Sequence, residues 1–401
     1  MFEKLEMAPP DPILGLTVAF REDPNPEKIN LGVGVYKDES GSTPVMTSVK
    51  AAEKKLLETE GTKSYLPIDG DAAFGKVVRE LVFGKRNSLV DNGRAVTLHT
   101  PGGTGGLRLA GDFLKRVRPD ATLWLSDPTW ANHTQIFNTI GFSLSSYPYY
   151  DAETKSLDFD GMLDALKAVK GGDIVLLHGC CHNPTGLDPD AGQWHKIGEI
   201  LKAKGALPLV DFAYQGLARG LEEDAEGLRI LSDYCDELIV VSSFSKNVGL
   251  YRERTGAVTL VASHKEAAAK ALSHAKQLAR TNYSNPPAHG GAIVTTILND
   301  EALTGIWTAE VAEIRNRIRA MRALLVDKLK EKGVAEDFSF ITAQNGMFSF
   351  SGLTPEQVDR LKSRFSIYIV RSGRINVAGI TTANVDRLAS AIASVLGSTQ
   401  G

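Results

Sequence analysis

Ser242-Ser243-Phe244-Ser245-Lys246-Asn247-Val248-Gly249-Leu250-Tyr251 directly follows Glu237-Leu238-Ile239-Val240-Val241. That preceding run is apolar and rich in β-branched residues, the pattern of a strand buried on both faces. A lysine at the mouth of such a strand is unusual, because lysine rarely leaves water unless it is paired or its charge is removed. An imine to a carbonyl cofactor is one way to remove that charge. The hydroxyls of Ser243 and Ser245 and the cation of Arg254 are groups that hold a phosphate. On these residue types alone, a loop lysine capping a strand end reads equally well.

Working outward, short apolar strands recur at Val96–Thr100, Thr122–Leu125, Ile174–His178, Leu207–Val210 and Leu238–Val241. Helical stretches lie between them, so the pattern predicts an α/β fold with a mainly parallel sheet covered by helices. Ligands of such sheets sit outside the carboxyl ends of the strands. Polar residues follow those ends here: Asp127, Thr129, Trp130 and His133; His178 to Gly186; Asp211 and Tyr214; Ser243, Ser245 and Lys246. Pro101-Gly102-Gly103-Thr104-Gly105-Gly106, placed between a strand and a helix, reads as a turn whose bare N–H groups cradle an anion. Its spacing is not that of the dinucleotide fingerprint. Helices are expected over 47–60, 72–84 and 301–331. The last carries an apolar stripe of Trp307, Val311, Ile314, Ile318, Met321 and Leu325, which reads as packing rather than a site.

The 401 residues suit two domains. A net charge of -3 with no basic block gives no footprint for nucleic acid or an anionic membrane. No apolar run approaches the roughly 20 residues of a membrane span. Three cysteines, an odd number, argue for a reducing, cytoplasmic setting. Residues 1–12, with Pro9, Pro10 and Pro12, read as an extended arm, and Ile13, Leu14 and Leu16 as side chains that dock on a partner subunit.

Asp211 ends an apolar strand, and a desolvated carboxylate wants a cation. A protonated pyridine nitrogen would satisfy it, while Tyr214 and Asn183 could bind a phenolic oxygen and Trp130 could stack on the ring. Lysine imine, phosphate cradle and ring acid together suggest pyridoxal phosphate. Taken singly, Asp211 also reads as a helix cap and Trp130 as a core residue. His178 and His182 flank Cys180 and Cys181, but adjacent cysteines do not match zinc spacings, so no metal is expected. Hydrogen-bonded imidazoles and core thiols are the reading there. Arg280 and Arg374 are candidate carboxylate clamps, or surface ion pairs.

Jointly these stretches resemble the class I pyridoxal-phosphate-dependent aminotransferases. The resemblance rests on Thr100–Gly105, His178–Gly186, Asp211–Gly216, Ser243–Asn247, Tyr283–Pro287, Gln344–Phe350 and Ser372–Arg374, in that order over nearly the whole chain. It implies a large domain with a seven-stranded, mainly parallel sheet over 46–313. It also implies a smaller α+β domain from 13–45 and 314–401, and an arm over 1–12. It implies that Lys246 bears the cofactor and shuttles the proton. Gly103, Thr104, Ser243, Ser245 and Arg254 would hold the phosphate, with Tyr65 reaching it from the neighbouring subunit. Asp211 would pair with the ring nitrogen, Asn183 and Tyr214 would bind the ring oxygen, and Trp130 would stack. Gly34 would touch the substrate through its backbone, Arg374 would clamp its α-carboxylate, and Arg280 of the other subunit would meet its side-chain carboxylate. Gly102 stands where the family often has a phosphate-binding serine. The resemblance further implies a homodimer with shared sites acting on small amino acids and 2-oxo acids. Val35, Lys37, Thr43, Thr104 and Asn285 are similar to the branch that prefers dicarboxylic amino acids, with aromatic amino acids the alternative.

Overall fold

In the computed structural model, which describes residues 2–7 and 14–397, seven strands build one sheet. They are β1 (Ala95–Pro101), β2 (Thr122–Asp127), β3 (Ser143–Pro148), β4 (Ile174–His178), β5 (Leu207–Phe212), β6 (Leu238–Ser243) and β7 (Thr255–Val261). Their spatial order is β1-β7-β6-β5-β4-β2-β3. Every neighbouring pair is parallel except those of β7, which runs antiparallel to both β1 and β6. All residues of β4, β6 and β7 are buried. Helices cover the sheet, so these strands show no alternation of apolar and polar residues. Leu98, Val241 and Val258 from three adjacent strands pack into one core with Leu107, Leu109 and Leu114 of the helix Gly102–Val117. The fold is α/β, with the mainly parallel seven-stranded sheet expected from the sequence.

Strands β3 and β7 were not legible as strands. β3 is an edge strand whose residues are mostly exposed or half-buried, so Ser-Leu-Ser-Ser-Tyr-Pro carries no apolar run. The glycine-rich stretch also differs from expectation. It is no turn: the helix begins at Gly102, and Gly102, Gly103 and Thr104 open its first turn. Glycine is needed there because the helix approaches the sheet closely. A Cβ at Gly106 would stand 2.7 Å from Cγ1 of Val241. The N–H groups of that turn, which have no intrahelical acceptor, therefore lie at the ends of β1 and β6.

Chain contacts divide the molecule into two units, Pro44–Asn316 and Met1–Thr43 with Arg317–Gly401. The first holds the seven-stranded sheet. The second is α+β: Ile29–Asn30 pairs in parallel with Ile367–Tyr368, and Phe348–Phe350 pairs antiparallel with Arg374–Asn376. The helix Glu301–Glu331 contributes its first half to one unit and its second half to the other. Trp307, Val311, Ile318, Met321 and Leu325 of its stripe are buried, and Ile314 is half-buried. Pro9, Pro10, Pro12 and Ile13 lie outside the described residues. The arm is not wholly extended, since Phe2–Lys4 forms a single 3-10 turn. Leu16, half-buried on the helix Leu14–Glu22, lies against Gly32 of its own chain.

Candidate active site

In the larger unit the sheet's carboxyl edge gathers Asp211, Ser243 and, one turn beyond β6, Lys246. Asp211 is buried and its Oδ2 accepts a hydrogen bond of 3.0 Å from Nε2 of His133. The other ring nitrogen of His133 lies 2.9 Å from Oγ1 of Thr129. An ionised carboxylate only accepts, so Nε2 carries the proton and, in a neutral ring, Nδ1 accepts from the threonine hydroxyl. Burial pushes the Asp211 carboxyl up. The His133 bond and charge, then the charges of His178 and Lys246, outweigh burial and hold it below the ordinary carboxylate value. Asp211 is thus a buried anion kept ionised by its neighbours.

Lys246 is half-buried. Its Nζ lies 5.5 Å from the ring centre of Tyr214 and 5.8 Å from that of Tyr251. Asn183 and Tyr214 are buried at the ends of β4 and β5. Trp130 begins the helix Ala131–Ile140 and meets His133 edge to face, with ring centres 5.2 Å apart.

A second cluster surrounds the start of the helix Gly102–Val117. Ser243 Oγ donates to Ser245 Oγ at 3.2 Å, and Arg254 Nη1 donates to Ser245 Oγ at 3.5 Å. Gly102 has φ +72, and a Cβ there would stand 2.4 Å from Nη2 of Arg254. The glycine that departs from the family pattern therefore leaves room for the guanidinium to lie over the helix N-terminus. Gly103 meets Ser243 from the other side, its would-be Cβ 3.2 Å away. Two hydroxyls, a guanidinium and helix N–H groups converge here, a donor set that suits a phosphate. Asp211 and Lys246 supply an anion and an amine beside it, so these residues fit a phosphorylated ring that carries a basic nitrogen and an aldehyde.

In the smaller unit Arg374 is buried, and its Nη2 donates to the carbonyl of Gly32 at 2.7 Å. Its guanidinium lies 4.2 Å from the ring centre of Phe348. Phe348 also explains Gly34, where a Cβ would come within 2.6 Å of the ring. Asn376 Nδ2 donates to the carbonyls of Val33 and Val35 at 2.7 and 2.8 Å and so fixes the backbone on both sides of Gly34. Sequence reasoning singled out neither Phe348 nor Asn376. Arg280 and Tyr65 are exposed on this chain, Tyr65 by 91 %, and Arg280 Nη1 donates to Ser284 Oγ.

The imidazoles beyond β4 differ from expectation in one respect. His182 is hydrogen-bonded to Ser126 and Thr185 at 2.9 Å each, but His178 is buried with neither ring nitrogen bonded among the described residues. Cys180, Cys181 and Cys235 are buried thiols in no disulfide. Ligand-type atoms of His133, His178 and Asp211 lie within 4.8 Å of one another, as do those of Cys180, Cys181 and Asp224. The protein already engages both carboxylates. His133 holds Asp211, and the backbone N–H groups of Gly216, Ala218, Arg219 and Gly220 hold Asp224.

Burial holds the His99 ring down to about 4. Burial, then the charge of His133, holds His178 down to about 3, and burial places His182 well below its usual value. The unfolded chain protonates these rings as the pH falls below about 6.5, whereas the folded chain does not. Stability is therefore expected to fall between pH 6.5 and 4, by up to about 1.4 kcal/mol per ring and pH unit. Asp211, being depressed, adds its own loss only below that window. Urea unfolding at pH 6.5, 5.5 and 4.5 checks this, and a flat profile would contradict the buried neutral state.

Compared with known proteins, residues 26–392 match the family described as aminotransferase class I and II. The aspartate aminotransferase of Escherichia coli (strain K12) is 56% identical over 368 residues, 92% of this chain and 93% of that protein. An aromatic-amino-acid aminotransferase of Pseudomonas aeruginosa is 48% identical over 394 residues, 98% of each chain. The crystal structure of the aromatic-amino-acid aminotransferase from Burkholderia pseudomallei, covalently bound to pyridoxal phosphate, superposes with a TM-score of 0.96 at 49% identity, covering 99% of both chains.

Proposed function

Since the chain belongs to the class I and II aminotransferases, we propose that it is an aspartate aminotransferase. It moves the amino group of L-aspartate to 2-oxoglutarate, giving oxaloacetate and L-glutamate in two half-reactions. One observation carries the chemistry: a lysine amine stands at the same sheet edge as a buried carboxylate that its surroundings keep ionised.

The fitting cofactor is pyridoxal 5'-phosphate. Gly103, Thr104, Ser243, Ser245 and Arg254 would hold its phosphate, with Tyr65 from a second copy of the chain. Asp211 would meet the ring nitrogen, Asn183 and Tyr214 the ring oxygen, and Trp130 the ring face. When bound, this group supplies an aldehyde that links reversibly to amines and a ring that withdraws electrons from the substrate α-carbon. Asp211 keeps a charge opposite the ring nitrogen, and His133 keeps that carboxylate oriented. Lys246, its amine released as the amino acid enters, accepts the α-proton at Nζ and hands it on within the site. A base fixed in this way acts at a high effective concentration. Arg374 holds the α-carboxylate, Gly34 leaves the backbone open to the substrate, and Arg280 of a second copy holds the side-chain carboxylate.

Exposed Phe2, Leu5, Met7, Leu57 and Tyr65 support a homodimer, as apolar side chains that a partner would cover. No helix among the described residues is long and apolar enough to cross a membrane. With three thiols in no disulfide, the chain suits the cytoplasm.

Turnover of aspartate and of phenylalanine, each with 2-oxoglutarate, tests the reading. Aspartate is expected to be preferred. The aromatic relatives give the second reading its support, and a preference for phenylalanine would establish it. Arg280→Ala is expected to lower kcat/KM for aspartate by about 100-fold, roughly 3 kcal/mol for an unpaired carboxylate. Phenylalanine, with no side-chain carboxylate, should change by only a few-fold, and equal losses for both would remove Arg280 from the specificity role.

A further inference from the structure

Behind the lysine segment lies a cavity of about 660 Å³, within the larger unit and lined by none of the residues proposed to bind cofactor or substrate. This volume falls within the range of small-molecule sites. Its walls come from the end of the helix Ala72–Phe83, the loop Arg219–Glu223 and the first half of the helix Glu301–Glu331. Leu81, Leu221, Leu298 and Ala312 make it apolar, together with the buried indole of Trp307. The helix stripe read from the sequence as packing alone thus also borders open space.

The charges around the cavity are unevenly paired. Glu80 meets Lys76 at 2.6 Å, Glu222 meets Arg229 at 2.8 Å and Arg219 meets Glu226 at 2.8 Å. Glu223 folds back on Gly220, its Oε2 1.9 Å from where a Cβ would stand. Lys85 and Arg315 have no carboxylate partner among the described residues, and Nε of Arg315 is buried without any hydrogen bond. Among the lining charges without an ion pair, the cations Lys85 and Arg315 outnumber the single carboxylate Glu223, and with apolar walls this balance suits an organic anion with a ring or branched aliphatic body.

The walls are tied to the backbone of the site. Trp307 Nε1 donates to the carbonyl of Asn247, next to Lys246, at 2.7 Å. Arg315 Nη1 donates at 2.9 Å to the carbonyl of Gly216, two residues after Tyr214. Asn247 Nδ2 donates to the carbonyl of Gln215, whose own amide donates to the carbonyls of Leu81 and Leu221 in the cavity wall. An occupant that shifts Trp307 or Arg315 shifts the segments carrying Lys246 and Tyr214. We propose that this cavity is a second ligand site, for an organic anion with an apolar body, and that its occupant alters turnover through the Asn247 and Gly216 carbonyls. The effect on turnover rests on the role given to Lys246; the binding does not.

The test uses the full-length, cofactor-loaded enzyme and 8-anilinonaphthalene-1-sulfonate as probe. Its fluorescence should saturate at one probe per chain and resist displacement by succinate, which competes only where dicarboxylates bind. Ala312→Phe, which fills the cavity, should weaken binding by about ten-fold or more, and Leu298→Trp serves if that variant does not fold. Lys85→Glu, at an exposed position, should weaken the sulfonate probe about three- to ten-fold and leave the uncharged N-phenyl-1-naphthylamine unchanged. Saturating probe should change turnover of the parent enzyme by about five-fold, and that of the filled variant not at all. Displacement by succinate, indifference to both a filling variant and Lys85→Glu, or equal affinity for the uncharged probe would overturn the site. Binding with unchanged turnover would overturn the coupling. A wrong assignment of Lys246 would show separately, in the absorbance of its alanine variant.

Discussion

Lys246→Ala is expected to lower transamination by roughly 10⁴-fold, the upper range for loss of a positioned base. The loss combines two effects. The variant has no amine at the mouth of β6 to accept the α-proton, and none to link to the cofactor aldehyde before substrate arrives. The groups proposed to hold the phosphate, Ser243, Ser245, Arg254 and the start of the glycine helix, are untouched, so the variant should still retain the cofactor. Its visible absorbance should then be that of an unlinked aldehyde rather than a lysine adduct. Lys246 is half-buried on a loop, so little loss of stability is expected. Retained turnover, or an unchanged spectrum in an inactive variant, would remove the lysine from its role.

Asp211→Asn should be nearly as severe. The carboxylate is buried, and His133 and Lys246 both favour its charge. Removing one partner of a buried charge pair costs about 3–5 kcal/mol. At about 1.4 kcal/mol per decade that is a loss of roughly 10²–10⁴ in rate if the ring nitrogen meets the carboxylate only in the loaded site. The amide keeps an oxygen for His133, so the fold should survive. Two measurements separate this role from a structural one. The variant should bind the cofactor more weakly while its melting temperature without cofactor stays close to the parent's. His133→Ala, which leaves the charge but frees its orientation, should lose less than Asp211→Asn. The reverse order would make the imidazole, not the carboxylate, the group that matters.

Among the parallel strands legibility followed burial, whereas the antiparallel β7, wholly buried, was missed all the same. Leu238–Val241, Ile174–Leu177 and Leu207–Val210 are covered on both faces, and their apolar runs announced them. Ser143–Pro148 lies at the sheet's edge in partial contact with water, so its sequence looks like a loop. The placing of Asp211 and Lys246 together at strand ends was legible because both are costly where they stand. Their supports were not. That His133 grips Asp211 depends on bringing together residues 78 apart in sequence, and that Asn376 fixes Val33 and Val35 depends on a separation of more than 300. No local pattern encodes either meeting. The glycine run was read as a turn ahead of the helix, and glycine does disfavour helices. Tertiary contact with Val241 and Ser243 reverses that preference, since only glycine fits between helix and sheet.

The antiparallel strand β7 has a consequence for how the chain is made. Strand β1 touches the rest of the sheet only through β7, which lies some 150 residues later in the sequence. On a ribosome that delivers the amino end first, β1, which leads into the helix Gly102–Val117, must wait without a strand partner until residue 261 has emerged. The strand that leads into the proposed phosphate cradle is therefore among the last parts of the larger unit to be paired, and a chain that stalls before β7 leaves that cradle without its full support.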